Sequence, residues 1–313
     1  MKFKKPKFWD FEKKSLISYI LLPFTIPILL NNFLLNKKVK KKMGKFTSIC
    51  VGNIYVGGTG KTPTAIKLYQ IFKKLNFNVS IGKKHYSSHN DEKSLLEKKT
   101  RLISLPSREE ITKQAIQNNL DFLIFDDGLQ DRNVSYDYEI VCFNGENWVG
   151  NGNLIPSGPL REKISSLKKY DVVILKDRDP QNDITQSIKN INPQIRIYNS
   201  YYKVKNLNNF DLSKKYVYFC GIGSPENFKE TLLKNKFQLV DGITFPDHYN
   251  FNEYDILKIK KKAEENNACI VTTEKDFMKI SQFDIKDIKY LEVDLQIENE
   301  NDLITFLKSK KDE

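Results

Sequence analysis

The chain has 313 residues, 40% hydrophobic and 12% aromatic, which gives room for two α/β domains with their own cores and excludes a disordered or low-complexity protein. Its formal charge is +12, yet arginine supplies only 6 of the 51 basic residues and the lysines are dispersed along the whole length. Lysine lacks the planar fork that reads bases in pairs of hydrogen bonds, so this charge does not point to nucleic acid, and no nucleic-acid partner is expected.

The N-terminus departs from a soluble pattern. Lys2, Lys4, Lys5 and Lys7 are interleaved with Phe8, Trp9 and Phe11, and Leu16 to Leu35 is nearly all apolar, broken by Pro23, Pro27, Asn31 and Asn32. Lys37, Lys38, Lys40, Lys41, Lys42 and Lys45 follow. A secretory signal fits poorly, because no small-residue cleavage site follows the apolar run. A clean span needs about 20 uninterrupted apolar residues, and basic flanks on both sides select no orientation. A buried core helix is the plain structural alternative. The reading adopted is a helix or helical hairpin lying in the interface, with aromatics dipping in and lysines on anionic headgroups. Residues 1–45 are therefore expected to be a membrane-associating segment on the cytoplasmic face.

An apolar strand is predicted at Ile49–Val51, followed by Gly52-Asn-Ile-Tyr-Val-Gly-Gly-Thr-Gly-Lys-Thr-Pro63. Gly57, Gly58 and Gly60 let backbone N–H groups converge on phosphate oxygens, and a helix starting near Thr62 aims its positive end at the same anion. Lys61 can reach the β- and γ-phosphates, and the Thr62 hydroxyl can ligate Mg²⁺. The window Tyr55, Val56, Gly57, Gly58, Thr59, Gly60, Lys61, Thr62 is read as the nucleotide-binding loop, although its first position is Tyr55 rather than the usual glycine. An incidental glycine-rich turn is the alternative.

Helical spacing continues over Thr64–Leu75 and a strand is expected at Phe77–Ile81; residues 82–99 read as a polar loop containing His85, His89, Asp91 and Glu92. A strand at Arg101–Leu105 and a helix at Arg108–Asn118 lead to the apolar strand Phe122–Phe125, which ends in Asp126-Asp127-Gly128. Carboxylates at the carboxyl end of such a strand are placed to hold Mg²⁺ opposite Thr62, whereas Asp-Asp-Gly alone is also ordinary turn chemistry. Further strands are expected at Glu139–Phe143, Asp171–Leu175 and Ile195–Val204. A second βα series follows: strands Tyr216–Cys220, Phe237–Ile243 and Cys269–Thr272, with a helix capped at Ser224 and another over Asn252–Glu265. Lys289–Leu295 would return beside the 195–204 strand. The alternation predicts parallel α/β sheets. Cys50, Cys142, Cys220 and Cys269 sit singly in apolar runs without C-x-x-C spacing, as in a reduced cytosolic protein.

Seven segments in register resemble the tetraacyldisaccharide 4′-kinase family: the basic and apolar N-terminus, Val51–Pro63, Asp126-Asp-Gly-Leu-Gln130, Leu154-Ile-Pro-Ser-Gly-Pro-Leu-Arg-Glu162, Gly221-Ile-Gly-Ser-Pro-Glu-Asn-Phe228, Phe245-Pro-Asp-His248 and Thr273-Glu-Lys-Asp276. The resemblance implies two α/β/α P-loop or Rossmann-like domains joined by a two-stranded hinge. It places them at 46–200 and 201–313, with hinge strands near 195–205 and 289–295. It implies transfer of the γ-phosphate of ATP to the 4′-hydroxyl of an acylated glucosamine disaccharide 1-phosphate, giving lipid IVA, by a monomer on the anionic inner membrane. It assigns Asp91 as base with His248 behind it, Lys61 on the phosphates, and Thr62, Asp126, Asp127 and Glu162 to Mg²⁺, with Arg161 beside Glu162. Closure about the hinge is expected to bring Asp91 and His248 together. The register of Asp91 rests on Asp91-Glu92 and Leu95-Leu96, because Asn90 replaces the family's glycine, Lys84-His85-Tyr86 replaces Arg-Gly-Tyr and Lys93 replaces proline; His85 and His89 are competing candidates. Setting the resemblance aside, the residues also fit a P-loop kinase or ligase acting on a soluble metabolite.

Overall fold

The computed structural model describes residues 5–11, 13–36, 41–42, 44–85, 90–131, 134–176, 183–247 and 249–309; the side chains of residues 35, 36, 41, 42 and 90–92 are outside the description. By contacts the chain forms two compact units. The larger comprises Lys5–Tyr86, Lys99–Tyr201 and Leu295–Glu313, and the smaller Met1–Lys4, Ser87–Lys98 and Tyr202–Asp294.

The apolar N-terminal run forms helices α1 (Leu16–Leu21) and α2 (Ile26–Asn36) joined by a 3-10 turn over Leu22–Thr25. From Leu16 to Leu34 the segment is long and apolar enough to cross a membrane, and only 11% of it is buried. Its polarity is inverted relative to a soluble helix. Ser18 and Thr25 are buried and Asn32 half-buried, seven residues apart, whereas Leu16, Ile20, Phe24 and Leu34 are exposed. The buried core helix is thereby set aside. Trp9 does not join the exposed face as anticipated; it is 1% exposed and donates its indole N–H to the Pro156 carbonyl at 3.0 Å.

Beyond the two-residue strand β1 (Lys41–Lys42), the larger unit continues with β2 (Thr47–Gly52), α3 (Lys61–Lys74) and β3 (Val79–Lys84), and, after the helix α4 (Asn90–Lys99), with β4 (Leu102–Leu105), α5 (Arg108–Gln117) and β5 (Phe122–Asp126). After β6 (Val134–Ser135), the partner of β1, come β7 (Tyr138–Asn144), β8 (Val172–Lys176), α6 (Ile184–Ile191) and β9 (Arg196–Val204). Every residue of β2, β5, β7 and β8 is buried, as expected for parallel strands covered on both faces. The smaller unit adds β10 (Lys215–Cys220), α7 (Pro225–Lys234), β11 (Gln238–Thr244), α8 (Glu253–Glu265), β12 (Cys269–Thr273), α9 (Glu274–Lys279) and β13 (Ile288–Leu291); β14 (Val293–Ile297) and α10 (Glu300–Lys308) close the chain.

The eight-stranded sheet has the order β14-β9-β8-β7-β2-β5-β3-β4, and the four-stranded sheet β11-β10-β12-β13. The expected return strand is two strands, β13 in the smaller sheet and β14 beside β9. The chain passes between the units inside β9, at Tyr201–Tyr202, and inside β14, at Asp294–Leu295. Within the segment read as a polar loop over 82–99, residues 82–84 are the end of β3 and residues 90–99 form the helix α4. That helix groups with the smaller unit, where Lys98 pairs with Glu274 at 3.6 Å and lies over the Tyr290 ring.

Candidate active site

β2 lies between β5 and β7, with Val51 in register with Asp126 and Gly52 with Val141. The loop after β2 therefore leaves the sheet at a central strand's carboxyl end, where open parallel sheets bind ligands. Gly60 caps α3 in the left-handed region at φ 85°, and Gly57 has φ 139°; a β-carbon at either would strain the turn. Lys61 is the first residue of α3. Pro63 falls in its first turn, where no intrahelical acceptor awaits an N–H. Asn53 braces the loop from beneath, donating to the Thr59 hydroxyl at 3.0 Å.

The two ends of the predicted metal site meet. The Thr62 hydroxyl donates to the Asp126 carboxylate, 3.1 Å from Oδ2 and 3.3 Å from Oδ1. The same Oδ2 accepts from Lys83 Nζ at 2.7 Å, and both side chains are sequestered, 8% exposed for Lys83 and 0% for Asp126. Lys83 falls in a stretch that the sequence presents as loop; its one signal there is a lysine continuing directly from the strand residues Val79–Gly82.

Asp127 and Glu162 belong to an adjoining network. Asp127, at φ 60°, accepts from Arg161 at 3.3 Å, and Arg161 also reaches Gln130 Oε1 at 3.4 Å. Gln130 donates to Glu162 at 3.1 Å and to the Asn53 carbonyl at 2.9 Å. The buried Glu162 carboxylate further accepts from Lys169 at 2.7 Å and Tyr170 at 2.9 Å. Arg108 fixes the turn after β5 by donating to the Asp127 carbonyl at 2.8 Å and pairing with Asp131.

Tyr55 has its side chain buried, 3% exposed, with its phenol donating to Asp10 and accepting from Lys5 Nζ at 3.0 Å. Burial first, and Asp10 second, hold that phenol well above its ordinary value. The Val56 N–H donates to the Pro159 carbonyl at 2.9 Å. Asp91 lies on α4, with its side chain outside the description, and His248 and His89 are outside the described residues; His85, next to β3, is exposed. Among the described residues no three His, Cys, Asp or Glu side chains could hold a metal ion unaided. The Thr62 hydroxyl and Asp126 carboxylate form an all-oxygen pair suited to Mg²⁺, which keeps several waters and shares substrate phosphates.

A family model described as LpxK, tetraacyldisaccharide-1-P 4′-kinase, matches residues 20–312. A protein named tetraacyldisaccharide 4′-kinase from Pelagibacter ubique (strain HTCC1062) is 43% identical over 97% of this chain and 96% of its own. One of the same name from Rickettsia canadensis (strain McKiel) is 33% identical over 96% and 95%. Among solved structures, an "apo" form of LpxK from Aquifex aeolicus in complex with ATP superimposes with a TM-score of 0.71 at 21% identity, covering 95% of this chain and 99% of that one. At that identity the superposition establishes a shared fold.

Proposed function

The chain belongs to the tetraacyldisaccharide-1-P 4′-kinase family, and we propose that Lys61, Thr62 and Asp126 are the residues with which it handles the phosphates. It is an ATP-dependent kinase of lipid A biosynthesis: the γ-phosphate of ATP goes to the 4′-hydroxyl of a tetraacyldisaccharide 1-phosphate, and the product is lipid IVA. Membership sets aside the soluble-metabolite reading. The single observation that carries the residue assignment is the contact between Thr62, at the start of α3, and Asp126, at the carboxyl end of β5, at 3.1 Å.

Phosphoryl transfer asks a protein for positioning and charge neutralisation more than for covalent chemistry. The N–H groups from Gly57 to Thr62, at the start of α3, and the Lys61 ammonium bind phosphate oxygens. Mg²⁺ held by Thr62 and Asp126 supplies charge compensation on the phosphates. Asp127 and Glu162, tied together through Arg161 and Gln130, shape the adjoining wall. Asp91 accepts the proton of the sugar hydroxyl, with His248 as its support. The segment carrying Asp91 and the Pro246-Asp247 turn before His248 fall in the same compact unit, so we assign the pair to one unit rather than to two. We take the domains as 46–200 and 201–313, apart from that segment.

We place the enzyme on the cytoplasmic face of the inner membrane, as a monomer, through residues 1–45. The inverted polarity of Leu16–Leu34 supports this reading: Ser18, Thr25 and Asn32 are buried or half-buried, and Leu16, Ile20, Phe24 and Leu34 are left for lipid.

The test is transfer of ³²P from labelled ATP to a tetraacyldisaccharide 1-phosphate in detergent micelles. Product from wild type and from neither Lys61→Ala nor Asp91→Ala is expected. Near-normal product from Asp91→Ala would move the base elsewhere, with His85 and His89 next in line.

A further inference from the structure

Lys83, the partner of Asp126, was given no part in the phosphate chemistry described above. It lies at the metal end of the site. β3 and β5 are neighbours in the sheet although 43 residues separate the two side chains, and Gly82 is in register with Phe125. Lys83 and Asp126 are therefore the next residues along adjacent parallel strands, pointing the chain's positive and negative groups at one spot. Water reaches neither side chain freely, so the attraction between them is screened less than between surface charges.

We propose that Lys83 is an internal counter-cation for Asp126, a positioning residue that holds the carboxylate ready and keeps divalent metal out until nucleotide arrives. This role of Lys83 rests on the reading of Thr62 and Asp126 as the Mg²⁺ ligands. Oδ2 already takes the Lys83 ammonium at 2.7 Å and the Thr62 hydroxyl at 3.1 Å, so its negative charge is compensated within the protein. A divalent ion approaching alone must share that oxygen with an ammonium of like charge. Phosphate oxygens bring fresh negative charge and further ligands, which tip the balance toward metal. Lys83 thus makes metal entry conditional on nucleotide. A neutral residue at this position would let the carboxylate bind metal without it.

The experiment is titration of nucleotide-free protein with Mn²⁺, followed by electron paramagnetic resonance. Wild type is expected to bind Mn²⁺ weakly, and Lys83→Met at least tenfold more tightly. Lys83→Arg, which keeps the charge, should resemble wild type, and Lys83→Met combined with Asp126→Asn should lose the gain. A Lys83→Met protein that binds no more tightly than wild type, or a double variant that keeps the gain, overturns the proposal. Thermal unfolding of the same set with and without Mn²⁺ covers the case of an unstable variant. Stability restored by Mn²⁺ supports the counter-cation role, and a Lys83→Met chain that fails to fold even with Mn²⁺ overturns it, because the pair would then be purely structural. Titration in the presence of ATP separates the underlying reading. Loss of Mn²⁺ binding in Asp126→Asn upholds the metal site whatever Lys83 does, and unchanged binding sinks it.

Discussion

Asn32, on the helix that carries the exposed apolar face, donates its side-chain amide to the backbone carbonyl of Arg161 at 2.9 Å. The exposed apolar segment is thus tied to the residue before Glu162, inside the network that borders the phosphate loop. Ser18 does the same further along: its carbonyl accepts from Ser157 at 2.7 Å, and its hydroxyl meets the buried Asn151 amide at 2.9 Å. Ser18 and Asn32 are the polar side chains that fasten it.

Asn151→Ala should therefore destabilise the larger unit by about 2–3 kcal/mol, because it strips partners from Ser18, Ser157 and the Asn153 N–H in a buried setting. Asn32→Ala, half-buried and with one bond, should cost about 1 kcal/mol. Chemical denaturation of the two variants checks the ranking; equal effects would mean that the clamp is not centred on Asn151.

The outward apolar face gives a second expectation. Leu16→Asp and Phe24→Asp replace side chains 76% and 64% exposed, so the fold should keep its thermal midpoint. Each forfeits the burial of a large apolar group in lipid, on the order of 1.5–3 kcal/mol, or about tenfold or more in partitioning to anionic vesicles. Flotation of the variants beside wild type reads this directly. Unchanged partitioning would remove this helix face from the membrane contact.

At the phosphate site, Thr62→Val keeps the shape of the side chain and removes the hydroxyl that meets Asp126. We expect kcat/KM to fall by about 10²-fold or more, Thr62→Ser to retain most activity, and Lys61→Ala to fall at least as far as Thr62→Val. Steady-state kinetics with Mg²⁺ varied at fixed ATP distinguishes the roles: Thr62→Val should need more Mg²⁺, and Lys61→Ala should not.

The cysteines offer a pH-dependent expectation. Burial pushes the Cys142 thiol up from 9.0 to about 12, although the Thr64 hydroxyl and the Lys61 charge oppose the shift, and burial pushes Cys220 to about 12 and raises Cys50 as well. At about pH 8 Ellman's reagent should find one reactive thiol in the native protein, the half-exposed Cys269, and four after denaturation. The raised thiols stabilise the fold below pH 9; as pH climbs from 9 toward 12 the unfolded chain loses these protons first, so stability falls. Cys142→Ala should flatten that alkaline slope by up to about 1.4 kcal/mol per pH unit in urea midpoints taken between pH 9 and 10. An unchanged slope would mean that Cys142 ionises normally in the fold.

Much of this molecule was legible in one dimension. The strand, glycine turn and Lys-Thr helix start of the phosphate loop are local, and so are the buried parallel strands with their unbroken apolar runs and the start of α7 at Ser224-Pro225, although the Ser224 side chain makes no capping bond. Backbone hydrogen bonding and side-chain periodicity act over a few residues, and a sequence states them directly. The loop-like reading of 82–99 failed because lysines dominate that stretch: the end of β3 is stabilised by pairing with β4, and α4 by contacts with residues about 180 positions later, such as Glu274.

By itself, then, the sequence determined the element order outside 82–99 and the return strand, the strand–glycine turn–helix start over Ile49–Pro63, the Asp126-Asp127 strand end and the apolar N-terminal run. The tertiary structure alone decided which way that run faces, that Trp9 is inside, that Asp91's helix groups with β10–β13, and that Lys83 meets Asp126. The reason is the strand order β2-β5-β3, which differs from chain order: sheet neighbours are chosen by crossover packing, and two residues distant in sequence become a buried ion pair only once those strands lie side by side.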